Sequence, residues 1–154
     1  MIIKSFELNK INLNKNKFFL TYGENQGAKE ELINSIIQQK KIKADNYYEN
    51  EIFSNSENFF NTISSKSFFN NEKIVIIKKA TNKILKIIEN IIEKNYEDLI
   101  VILNAETLDK KSKLRSMFEK NKELICIPFY PDNDQTLSKL AYNFLKEKKI
   151  SISP

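Results

Sequence analysis

A glycine, a second glycine and a lysine fall in a short polar run, Gly23-Glu24-Asn25-Gln26-Gly27-Ala28-Lys29-Glu30. An apolar stretch, Phe18-Phe19-Leu20-Thr21-Tyr22, precedes it, and a helical pattern follows. In that setting G-x-x-x-x-G-K-[ST] is a loop that cradles phosphates and holds Mg²⁺ through its last hydroxyl. Gly23 and Lys29 keep the spacing. Ala28 replaces the second glycine of the pattern, and Glu30 replaces the hydroxyl residue. A carboxylate there would meet phosphate as like charge. Lys29 can still hold a stray anion at the helix start, or be a first-turn surface lysine.

The metal half of such a site belongs at the end of the third strand, where acidic residues organise Mg²⁺ and water. Ile74-Val75-Ile76-Ile77 is followed instead by Lys78-Lys79. Two unit charges about 4 Å apart cost about 4 kcal/mol at an effective dielectric of 20, and the metal carries two. Glu30 with Lys78 and Lys79 therefore reads as a lost metal site, with no metal and no cofactor expected. Asn104 closes the fourth strand, either as a polar sensor of a γ-phosphate or as a turn residue.

The absences narrow the chemistry further. The sequence has no histidine and one cysteine, Cys126, in the apolar run Leu124-Ile125-Cys126-Ile127. His-based triads and His metal sites are excluded, an internal disulfide is impossible, and Cys126 reads as a small buried hydrophobe. The net charge is +5, from 25 Lys and Arg against 20 Asp and Glu. That suits nucleic acid or an acidic partner, but Arg115 is the only arginine, and a dedicated phosphate surface favours arginine. The lysine runs Lys40-Lys41-Ile42-Lys43 and Lys146-Glu147-Lys148-Lys149 lie at helix ends, where cations complement the dipole. No segment approaches the roughly 20 apolar residues that span a bilayer, and Met1 to Glu7 lacks a signal-peptide core. A cytoplasmic protein without membrane contact is expected.

Strand and helix patterns alternate along the 154 residues. Phe18–Tyr22, Ile74–Ile77, Leu99–Leu103 and Leu124–Phe129 read as strands, the middle ones continuous apolar runs that need cover on both faces. Tyr47–Phe53 alternates and reads as an aromatic edge strand whose rings fill the core. Helical spacing appears at Leu32, Ile33, Ile36 and Ile37. It recurs at Phe59, Phe60 and Ile63 behind a Ser54-to-Glu57 capping box, at Ile84 to Ile92, and at Leu114, Met117 and Phe118. The series predicts an α/β domain, a five-stranded parallel sheet flanked by helices. After Pro128 and Pro131, Asp134 is placed to cap a helix with Leu137, Leu140, Ala141, Phe144 and Leu145 on one stripe, covered by the first domain. The expected division is residues 1–131 as one domain and 132–154 as the start of a second, cut short.

Before the third strand, Ser64-Ser65-Lys66-Ser67-Phe68-Phe69-Asn70-Asn71 sets two phenylalanines among polar residues. Adjacent side chains cannot both enter one core from a regular element. One of them is exposed as an interface anchor, or a loop folds both inward.

In their order, Phe19-Leu20-Thr21-Tyr22-Gly23-Glu24, Ser67-Phe68-Phe69 before Lys73-Ile74-Val75-Ile76-Ile77, Leu108-Asp109-Lys110-Lys111-Ser112-Lys113-Leu114 and Ile150-Ser151-Ile152-Ser153-Pro154 resemble the delta subunit of the bacterial DNA polymerase III clamp loader. The resemblance implies a P-loop NTPase-like, AAA+-like first domain with a degenerate nucleotide site. It implies a subunit that is not itself catalytic but serves a DNA-directed DNA polymerase, a nucleotidyltransferase. Such a subunit binds and opens the sliding clamp, the beta subunit, for loading onto primed DNA in replication. Ser67, Phe68 and Phe69 match the family's clamp contact, which commonly has Leu-Phe where this chain has Phe at both places. Partner clamp-loader subunits would hydrolyse ATP, and DNA would be met through the assembled complex. The family continues through a lid domain and a helical collar, so residues 132–154 match the first lid helix. This chain is expected to bind a clamp without pentamerising. Two other readings compete: an active small P-loop enzyme, and a single-stranded nucleic-acid-binding domain that stacks bases on Tyr47, Tyr48 and Phe53.

Overall fold

The computed structural model describes residues 1–3, 11–65 and 72–150. Five strands, β1 (Phe18–Gly23), β2 (Ala44–Tyr48), β3 (Lys73–Lys78), β4 (Leu99–Asn104) and β5 (Leu124–Phe129), form one sheet in the order β2-β3-β4-β1-β5. Every pairing is parallel. Parallel neighbours need crossovers, and helices supply them: α1 (Gln26–Lys40), α2 (Glu49–Ser54), α3 (Ser56–Ser64), α4 (Leu85–Lys94) and α5 (Lys113–Lys120), with α6 (Asp134–Glu147) after the last strand. This is the α/β arrangement that the alternating pattern predicts, and it is consistent with the AAA+-like domain that the resemblance implies.

Strand alternation divides the core in two. Phe19, Ile74, Ile76, Ile100, Ile102, Ile125 and Ile127 face α1 through Leu32, Ile33 and Ile36. Leu20, Val75, Ile77, Val101, Leu103 and Cys126 face the other helices through Ile52, Phe59, Ile88, Leu114 and Phe118. Cys126 is fully buried, as its apolar neighbours imply, and burial pushes its thiol up to about 12.

The aromatic edge departs from expectation. β2 stops at Tyr48, and Glu49 to Ser54 is helix, because the Glu51 carboxylate turns back to accept the Tyr48 N–H at 2.7 Å. Buried Glu49 holds the same corner, accepting the Thr81 N–H at 2.6 Å and its hydroxyl at 2.7 Å. Tyr47 packs edge-on against Phe59 with ring centroids 5.1 Å apart, but Tyr48 and Phe53 stay exposed rather than filling the core. The caps fall one residue from their expected places. Asn55, not Ser54, caps α3, and Asn133, not Asp134, caps α6, since in each case the Asn side-chain oxygen reaches the third backbone N–H. The α6 stripe is also not covered. Leu137, Leu140 and Phe144 remain at least half exposed, and α6 buries no residue.

With two glycines in the sequence, lysine and asparagine occupy left-handed turns. Lys41 ends α1 at φ 55°, Lys79 follows β3 at φ 54° and Asn95 ends α4 at φ 46°. Gly23 is the exception that needs to be glycine. Its φ is 120°, and a Cβ there would lie 2.0 Å from the Phe129 carbonyl oxygen.

Candidate functional site

At the carboxyl ends of the strands, β1 hands the chain to α1 with only Glu24 and Asn25 between them. The Asn25 side chain caps the helix by accepting the Ala28 N–H at 3.1 Å, and its carbonyl accepts the Lys29 N–H at 3.2 Å. The Gln26 N–H goes to the Glu24 carbonyl at 2.9 Å. The Gln26, Ala28 and Lys29 amides are therefore bonded to the protein itself, and Gly27 lies in the first turn of a regular helix.

Lys29 is not the surface lysine that its first-turn position suggests. Its side chain is fully buried and its ammonium donates to the Ala105 carbonyl at 2.7 Å. Ala105 follows β4, so the lysine ties the start of α1 to the end of the central strand. Burial lowers its pKa, while the nearby Glu106 and Glu30 carboxylates pull the other way. The tie arises because α1 begins at Gln26: one turn later the side chain projects toward the sheet.

In front of it lies a cleft of about 500 Å³. Glu30, Lys78, Lys79, Asn104 and Glu106 line it, so the topology gathers the suspected metal and sensor positions into one place. Lys78 reaches over the exposed Tyr48 ring, 5.9 Å from its centroid. Two lysines and two glutamates give the cleft no net charge, a poor match to a triphosphate. Among the described residues no group of three acidic or cysteine side chains is placed to hold a metal ion. Arg115, the single arginine, is committed elsewhere. Its Nε donates to Glu119 at 2.7 Å, a terminal nitrogen donates to the Leu108 carbonyl at 3.2 Å, and its guanidinium lies 5.0 Å from the Tyr22 ring centroid.

The Leu108-to-Leu114 motif is a capping device. Ser112 caps α5 by accepting the Arg115 N–H at 3.2 Å. The Asn82 side-chain oxygen in turn accepts the Ser112 hydroxyl at 2.8 Å and the Leu114 N–H at 2.9 Å. Asn82 sits in the single helical turn Asn82–Ile84 that leads into α4, so α4 and α5 are fixed together.

Ser67, Phe68 and Phe69 lie outside the described residues. Both flanks of that segment are described, and both are tied down at the opposite end of the sheet from the cleft. On the α3 side, the Lys73 ammonium donates to the Thr62 carbonyl at 2.6 Å, to the Ser65 hydroxyl at 2.9 Å and to the Ser65 carbonyl. On the β3 side, Glu72 takes both oxygens to Lys40, at 2.8 and 3.0 Å, with Lys17 at 3.5 Å. Hydrogen bonding from Lys40 holds the Glu72 carboxyl below its usual range. Sequence reasoning missed these ties. The one available signal was Lys73 itself, a charge at the first position of an otherwise apolar strand.

The fold, a five-stranded parallel sheet flanked by helices, is an α/β architecture consistent with an AAA+-like domain. The family model described as DNA polymerase III, delta subunit, matches residues 19–127, and the chain belongs to that family. A search of curated proteins finds no match.

Proposed function

We propose that this chain binds the sliding clamp through Ser67, Phe68 and Phe69 and opens it for loading onto primed DNA, without hydrolysing ATP itself. Membership of the delta family supports this reading. The observation that supports its non-catalytic half is the Lys29 ammonium, fully buried and donating to the Ala105 carbonyl at 2.7 Å. Opening then needs only a higher affinity for the open ring than for the closed one, since a ligand shifts an equilibrium by its differential affinity. Partner clamp-loader subunits would supply hydrolysis, DNA would be met through the assembled complex, and the setting is the cytoplasm. Residues 132–154 belong, on this reading, to a lid domain; the exposed α6 stripe suits a helix whose packing partners are not in the first domain.

The competing single-strand reading draws on the exposed rings of Tyr48 and Phe53. The adjoining cleft sets Glu30 and Glu106 against Lys78 and Lys79, so it offers no net positive charge to a nucleic-acid backbone.

Calorimetric titration of the cognate clamp tests the proposal. Phe68→Ala with Phe69→Ala is expected to weaken binding by ~2 kcal/mol or more, the usual cost of truncating a central aromatic anchor, with the fold intact. Unchanged affinity would refute the assignment of the contact.

A further inference from the structure

We propose that the groove between α4 and α5 docks a short acidic segment of a partner protein, one that also carries aliphatic side chains. The groove measures about 390 Å³. It lies on the face of the sheet opposite α1, away from the cleft beside Lys29. Lys110, Lys111, Lys113 and Lys120 rim it, with Glu89 as the one carboxylate among the described residues that line it. Among the described residues none of the four lysines makes an ion pair. Between them the floor is apolar. Leu85 and Met117 line the groove and rest, half-buried, on the core beneath.

The walls stand before any partner arrives. Asn82, in the turn that leads into α4, accepts the Ser112 hydroxyl and the Leu114 N–H, which fixes one helix against the other. The Asp109 carboxylate accepts the Lys111 N–H at 2.8 Å and the Asp109 carbonyl accepts the Ser112 N–H at 3.2 Å, so the backbone under the lysines is set as well. A preformed groove leaves less to order on binding. Rim and floor then select the occupant. Carboxylates complement the ammonium groups, and an aliphatic side chain gains by burial on Leu85 and Met117. The flexible thioether of Met117 adapts to side chains of different shape. A nucleic-acid strand fits less well. No aromatic ring stands among the described lining residues for a base to stack on, the rim holds no arginine, and Glu89 opposes a phosphate. This surface is independent of the clamp contact, and the failure of either proposal leaves the other standing.

Fluorescence anisotropy of the full chain with a labelled peptide of alternating aspartate and leucine tests the proposal, with thermal midpoints measured alongside. Saturable binding by the wild type is expected. Lys110→Gln with Lys113→Gln is expected to raise the peptide Kd about three- to tenfold, and Lys110→Glu with Lys113→Glu more than about tenfold. Midpoints should stay nearly unchanged, because both side chains are exposed. Lys15→Glu with Lys43→Glu makes the same change of net charge at exposed positions outside the groove, and should shift the Kd by less than about twofold. Serine in place of the peptide's leucines should weaken binding about tenfold. A wild type that shows no saturable binding would overturn the proposal. So would equal losses from the groove pair and the outside pair, since the attraction would then be to net charge alone. A serine peptide that binds as well as the leucine peptide would remove the apolar floor from the argument and the proposal with it. An oligothymidine strand that binds more tightly than the peptide and weakens with the same groove variants would make the surface a nucleic-acid site instead. Collapse of the midpoint in both groove variants would likewise overturn it, because the lysines would then hold the fold.

Discussion

Replacing Lys29 by methionine separates a structural lysine from a phosphate ligand. Methionine keeps the apolar stem and removes the ammonium that donates to Ala105 at 2.7 Å. The hydrogen bond from a charged donor is worth about 1.5–3 kcal/mol, and the Ala105 carbonyl, at a residue 1% exposed, loses the one side-chain partner described for it. Relief of the desolvated charge offsets part of that loss. A net destabilisation of about 1–2 kcal/mol is expected, or roughly 2–8 °C in thermal midpoint at this chain length. Lys29→Ala should cost about 2–5 kcal/mol, because it also leaves a cavity. The pH dependence supplies a second test. The folded pKa of Lys29 lies below the unfolded 10.5, so between those two values the unfolded state binds more protons. The contribution of this group to wild-type stability therefore rises with pH across that window. Lys29→Met lacks it, and the stability gap should widen on going alkaline. Chemical denaturation of both proteins from pH 7 to 10.5 measures the gap. A gap that narrows would refute the reasoning. So would a Mg-ATP-dependent rise in wild-type midpoint that Lys29→Met abolishes, since that would put the ammonium on a phosphate.

The two glycines should behave oppositely. Gly27→Ala is expected to stabilise by about 0.4–1 kcal/mol, because a Cβ there meets nothing nearer than the Asn25 side-chain oxygen at 3.9 Å in a helical turn. Gly23→Ala should destabilise by about 3 kcal/mol or more, from left-handed strain and collision with the Phe129 carbonyl. Thermal melts of both variants check this, and an intolerant Gly27 would point back to a phosphate-wrapping loop. At high pH, Cys126 should weaken the fold. Its thiol is raised from 9.0 to about 12, so between pH 9 and 12 the unfolded state releases the proton first and stability falls. Tyr22, raised from 10.0 to about 12, acts in the same direction between pH 10 and 12. Cys126→Ala should show a shallower alkaline decline in denaturant midpoint than wild type.

The alternation of apolar runs with helical spacing fixed the α/β class, because a strand covered on both faces must be apolar at every position. Ile74 to Ile77 and Leu99 to Leu103 carried that signal unambiguously. The edge did not read as well. Tyr47 to Phe53 has strand composition, and only the return of the Glu51 carboxylate to the Tyr48 N–H turned most of it into helix. Nothing in the sequence marks Lys41 and Lys79 for the left-handed positions that they take.

At the nucleotide loop, the sequence by itself determined that the residue types were wrong: Ala28 and Glu30 in the phosphate loop, Lys78 and Lys79 where acids belong. Those are local facts of charge and size, legible without a fold. Only the tertiary structure decided what Lys29 does, because its partner, the Ala105 carbonyl, is 76 residues away and meets it only when β1 and β4 pair. The same holds for Glu49 on Thr81, 32 residues apart. Hydrogen-bond partners are chosen by proximity in space, and spacing along the chain carries no record of that choice.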